Sequence, residues 1–179
     1  MIESALLHHH ESRQWLSFEH PVSVLHARKP TEVLPLLKEI EARVEAETLT
    51  AVGFVTYEAA SGLDASLPTH PPHDNALPLI SFALFREAHA VQAPTPAQAQ
   101  AHQLWRFSES AEDYQLAIHR IRERIKAGDV YQINHTTRLN GVLNDPWQLF
   151  TEAAAGAPFG AYLQGDSHTI VSASPECFF

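Results

Sequence analysis

Gln132, Asn134, Thr136 and Arg138 fall at every second position and alternate with Tyr131, Ile133, Thr137 and Leu139. A period of two would set two amides, a hydroxyl and a guanidinium on one face of a strand. Such a row is either a solvated sheet face or a polar lining for a ligand, and spacing leaves both open. Other residues invite chemistry less well. His8, His9 and His10 are consecutive, and neighbours on a strand point to opposite faces, so the three cannot all ligate one ion. His70 and His73 are too sparse for a metal. Cys177 stands beside Glu176, but a strand cysteine between a glutamate and two phenylalanines reads as inert core. Glu58 and Glu176 could pair around Mg²⁺, against a structural hydrogen bond of Glu176 beside Pro175. The chain has no Walker loop, no Gly-x-Gly-x-x-Gly, no His-Glu-x-x-His and no Gly-x-Ser-x-Gly.

The elements that must position the polar row are legible just before it. Tyr114, Ile118, Ile121 and Ile125 recur at helical spacing and predict a stripe facing a core. Ser110 with Asp113 three positions on is a capping pattern, and Glu112 adds negative charge to the first turn. Arg122, Arg124 and Lys126 suit the other end of the dipole, and Gly128 suits a left-handed stop. A strand over 128–138 should follow.

The run Gly128-Asp129-Val130-Tyr131-Gln132-Ile133-Asn134-His135-Thr136, behind that helix, resembles the signature of the chorismate-utilising enzymes. More narrowly it is similar to the aminodeoxychorismate synthase component I (para-aminobenzoate synthase) branch, because the anthranilate synthase branch usually has an apolar residue at Asn134. Two further stretches resemble the family: Ala157 to Leu163 running on to Ser172–Phe178, and Gly53 to Ala60. The resemblance implies an α+β fold of mainly antiparallel β-sheets packed face to face with helices outside, incomplete in this chain. Residues 1–179 would then form a single incomplete domain, with an N-terminal region over 1–107 and the start of a chorismate-binding region over 108–179. The implied activity is that of a transferase of folate biosynthesis, which aminates chorismate at C4 with ammonia from a glutamine amidotransferase partner. Anthranilate or isochorismate synthesis is the alternative within the family, and a catalytically inert small-molecule-binding module the alternative outside it. Mg²⁺ is the implied cofactor, held by carboxylates in motifs that follow Ser174-Pro175-Glu176. No catalytic or metal residue is expected within the chain. Tyr131, Gln132 and Asn134 are pocket candidates on the central strand. The resemblance places Pro158, Phe159 and Gly160 in an effector pocket for tryptophan, opposite the Leu7–His9 segment. His9 stands where the family has Ser, which predicts weak tryptophan binding or none. The wording of the motifs is closest to forms fused to a lyase-like C-terminal domain.

Composition is consistent with that. The chain has 179 residues, 45% hydrophobic and 18% charged, enough for one ordinary core. Its 12 Lys+Arg against 21 Asp+Glu give −9, which argues against a nucleic-acid surface. One cysteine excludes an internal disulfide framework and fits a reducing cytoplasm. No apolar run is long enough to span a bilayer, so no membrane partner is expected.

In chain order, residues 1–25 read as extended segments with a turn between them, and Val22, Val24 and Ala27 predict a strand ending near Arg28. Thr31 should cap a helix with an apolar stripe of Val33, Leu36, Leu37, Ile40 and Val44, with Pro35 in its first turn. A strand is predicted over 50–59, with Gly53 marking close backbone approach. Residues 64–78 read as a Pro- and His-rich loop, 79–85 as a strand buried on both faces, and 93–102 as a low-complexity connector. Asp145-Pro146 should open a helix that buries Trp147, Phe150, Ala153 and Ala154 and stops at Gly156. Residues 159–164 and 169–172 predict a hairpin. A chain finishing on Phe178 and Phe179 reads as cut short.

Overall fold

The computed structural model describes residues 1–70, 76–95 and 105–177. In chain order the elements are β1 (Ile2–His9), β2 (Gln14–Glu19), β3 (Ser23–Ala27), α1 (Pro30–Glu47), β4 (Thr50–Val55), a 3-10 turn (Tyr57–Ala59), α2 (Ala60–Leu63), β5 (Ile80–Phe85) and β6 (His89–Val91). They continue with β7 (Arg106–Phe107), α3 (Ala111–Ala127), β8 (Leu139–Asn140), α4 (Pro146–Ala153), β9 (Phe159–Gly165) and β10 (Thr169–Ser174). The chain divides into two units, residues 1–97 with 146–179, and residues 98–145.

The first unit is a stack of layers. Strands in the order β10-β9-β1-β2-β6 make one antiparallel sheet, and β3-β5-β4 make another. Alternation along β5 assigns its two faces. Ala83 and Phe85 join Ile2, Ala5, Phe18, Val52 and Leu163 in a core between the sheets. Ile80, Phe82 and Leu84 look the other way, onto the α1 stripe of Val33, Leu36, Leu37 and Ile40. A bulge between Ile2 and Ser4 lets both Ile2 and Ala5 reach the same core despite their odd spacing. On its far side the five-stranded sheet carries Leu6, Trp15, Tyr162 and Val171, covered by Phe150 of α4 and by Ala154 just beyond it. The expectation of antiparallel sheets in a mixed α and β arrangement holds. So does the doubly buried strand at 80–85.

Several local expectations need correction. Helix α1 starts two residues earlier than a Thr31 cap would allow. Lys29 is its N-cap, and the Glu32 carboxylate accepts from the backbone N–H of both Arg28 and Lys29 at 3.1 Å. Those bonds, Lys29 first, hold the Glu32 carboxyl below its ordinary value. Pro35 therefore lies inside the helix rather than in its first turn, and it sits on the exposed face, where water can satisfy the carbonyl it leaves unbonded. Beyond Val55 the chain turns into 3-10 and α-helix instead of continuing as strand to 59. Gly53 does mark a close approach: a Cβ there would lie 2.1 Å from the Ser81 carbonyl oxygen. In α4, Ala153 is exposed and the helix ends there, short of Gly156. Cys177 is exposed beyond the end of β10, not in a core. Phe178, Phe179 and most of the 93–102 connector lie outside the described residues.

In the second unit, Ser110 caps α3 by accepting from the Asp113 N–H at 3.1 Å, and Gly128 closes it at φ 79°, where a Cβ would be strained. The stripe is not buried: Ile118 and Ile121 are half-covered, while Tyr114 and Ile125 are exposed. Nor is 128–138 a strand. Pairing begins only at Leu139–Asn140, opposite Arg106–Phe107. Alternation makes a strand only when a neighbour takes its backbone bonds and a layer covers one face, and residues 129–137 have neither among the described residues.

Candidate functional site

The candidate residues fall in both units. In the first, the antiparallel register of β1 with β9 brings the N-terminal segment against 158–160. Paired positions run to Leu7–Ala161, and His8 Nδ1 then lies 2.8 Å from the Pro158 carbonyl oxygen. His10 stacks on the Phe159 ring at 4.9 Å and 25°. His9, the exposed last residue of β1, has Nδ1 2.9 Å from the Ser12 hydroxyl in the turn that follows. Gly160 is buried, and a Cβ there would meet the Ala154 carbonyl at 2.5 Å and the Trp15 ring at 3.0 Å. The register therefore brings His9, Pro158, Phe159 and Gly160 to one end of the sheet.

The three histidines do three different things: a backbone bond, a turn bond and a ring stack. Sequence reasoning did not foresee the aromatic group beside them. Trp15 meets Phe150 edge-on at 5.4 Å, Trp147 meets Tyr162 at 5.3 Å, and Phe150 lies 5.3 Å from Tyr162. The i, i+3 spacing of Trp147 and Phe150 was the available signal.

In the second unit, Tyr131 is 91% exposed. Gln132 and Asn134 are also exposed, and the Gln132 amide donates to the Asn134 oxygen at 3.2 Å. One contact of this segment was not announced by the sequence. His135 Nε2 sits 3.2 Å from both oxygens of Glu109, and its ring lies 5.6 Å from Tyr114. It ties the 129–138 segment to Glu109, the residue ahead of the α3 cap.

Mg²⁺ would need carboxylates that converge. Among the described residues no group of three or more His, Cys, Asp or Glu could hold a metal. Glu58 lies in the 3-10 turn and Glu176 beyond β10, with no described contact between them. The Ser174 hydroxyl donates to the backbone carbonyl of Glu176, not to its carboxylate. The described residues therefore do not form a Mg²⁺ site.

Residues 87–179, just over half of the chain, match the chorismate binding enzyme family. The chain belongs to that family. It is 34% identical over 92 residues to aminodeoxychorismate synthase component 1 of Klebsiella aerogenes, covering 50% of this chain and 20% of that protein. The Escherichia coli (strain K12) protein of the same name is 34% identical over 77 residues, or 41% and 17% of the two chains. The chloroplastic anthranilate synthase alpha subunit 1 of Oryza sativa subsp. indica is 30% identical over 105 residues, or 52% and 18%. The matches span about a fifth of the length of these relatives.

Proposed function

We propose that the chain is the N-terminal part of an aminodeoxychorismate synthase component I, which replaces the C4 hydroxyl of chorismate by an amino group using ammonia from a glutamine amidotransferase. The observation that carries this reading is Asn134 within the Gly128–Thr136 run, inside the matched span 87–179. The names of the Klebsiella and Escherichia relatives support it. Mg²⁺ and the amination chemistry would come from sequence that follows the Ser-Pro-Glu motif. A cytoplasmic, folate-producing role is part of the same proposal.

The rice relatives favour a second reading, anthranilate formation. One experiment separates the two. The full-length protein is incubated with chorismate, ammonium and Mg²⁺, and products are resolved by chromatography with and without added aminodeoxychorismate lyase. p-Aminobenzoate appearing only with the lyase is the expected result. Anthranilate without it would replace the first reading by the second. Neither product would remove both.

A further inference from the structure

At the end of the two-sheet core opposite Phe159, a cleft of about 440 Å³ opens among His26, Arg28, Ser81, Asp166, Ser167 and His168. Register builds its floor. His26 on β3 and Phe54 on β4 both pair with Ser81 on β5, so the three side chains share one face. Two residues further along that face, Val24, Ala83 and Val52 belong to the sealed seam between the sheets. At Ser81 the seam turns polar. Ser81 is only 3% exposed, yet no described residue bonds its hydroxyl. His168 presents Nδ1 to the Ser167 hydroxyl at 3.2 Å, while its Nε2 is buried without a hydrogen-bond partner, the ring lying edge-on to Phe54 at 6.1 Å.

The charges point one way. Asp166, the cleft's acid, is engaged by the Met1 amino group, which with Ser167 holds its carboxyl below the usual range. Arg28 spends one N–H on the Ala76 carbonyl at 3.3 Å and has no carboxylate in ion-pair range among the described residues. Its remaining donors form the fork that suits carboxylate and phosphate. The volume is that of a small-molecule site rather than of a bare ion, and Leu77 and Pro78 supply an apolar wall.

We infer that this cleft binds a small molecule carrying an oxyanion, carboxylate or phosphate, with Arg28 receiving the anion and Ser81 and His26 completing its hydrogen bonds. The site lies roughly 20 Å along β1 and β9 from the His9–Phe159 end. It is independent of which reaction the protein catalyses.

The test is calorimetric titration of the full-length protein with two probes at fixed ionic strength, inorganic phosphate and benzoate. At least one should bind saturably, with affinity falling about ten- to a hundredfold in Arg28→Gln and several-fold in Ser81→Ala. Phosphate alone would assign a phosphate ligand, benzoate alone a carboxylate, and both would support the site. Saturable binding of neither probe overturns the proposal. So does binding that Arg28→Gln leaves unchanged, since that places the anion elsewhere, including at a catalytic centre. Thermal melts without probe check that each variant folds. If Arg28→Gln does not, His26→Ala at an exposed position takes its place, with the same outcomes.

Discussion

The two units put the same local grammar to opposite uses. In residues 1–97 and 146–179, helical and alternating patterns end in burial: Phe85, Phe150, Ile2, Leu79, Ile80, Leu84 and Val33 are all below 2% exposed. Among the described residues of 98–145, a helix with an equally regular stripe and a segment with equally regular alternation bury nothing completely. The difference lies in layers. Each apolar face of the first unit meets a sheet or a helix, whereas α3 and the segment after it meet little within their own unit. The residues that carry the family resemblance most strongly thus sit where packing explains them least.

Truncating two aromatics of similar size would sharpen that contrast most. Phe85→Ala should cost about 3–5 kcal/mol in urea denaturation of the full-length protein. Tyr131→Ala should stay within about 0.5 kcal/mol. Equal losses would break the comparison. Within the first unit, a pair of glycines separates closely packed backbone from open backbone. Gly53→Ala forces a Cβ against the Ser81 carbonyl and should cost about 3 kcal/mol, while Gly156→Ala has nothing within 4 Å to meet and should be nearly silent. Ser110→Ala removes the α3 cap and should cost about 1 kcal/mol, read most clearly as faster amide exchange in the first turn.

The smallest effect is a titration. Glu32 has a lowered pKa when folded, so its contribution is fully present above its ordinary value of 4.5 and is lost as pH falls through the folded value. Glu32→Gln should therefore lower the melting temperature slightly at pH 7 and converge with the parent protein in strong acid. A gap that persists at low pH would mean the carboxylate's charge is not what matters.

How much of this was legible follows the same division. The β5 strand announced itself because a run of apolar residues buried on both faces needs no knowledge of its neighbours. The 159–174 hairpin was readable from its turn. The 128–138 segment was misread because alternation states which side chains could share a face, not whether a partner strand exists. Lys29 was overlooked as a cap because its side chain is no capping type; Glu32 supplies the bonds from inside the helix. Of the site, the His8–Pro158 bond and the Arg28 cleft depend on contacts across the fold. Sequence spacing carries no trace of those.

The position of β1 has a consequence for how the protein comes into being. It lies in the middle of its sheet, between β2, which follows at once, and β9, which begins at Phe159. On a ribosome adding roughly 5–20 residues per second, the gap between those two neighbours is on the order of ten seconds. Throughout that interval one edge of the first strand waits with its amides and carbonyls unpaired. A nascent chain in that condition is open to mispairing with its own later strands or with another copy. Slowed translation just before Phe159 should lower the yield of native protein, and a holding chaperone should restore it.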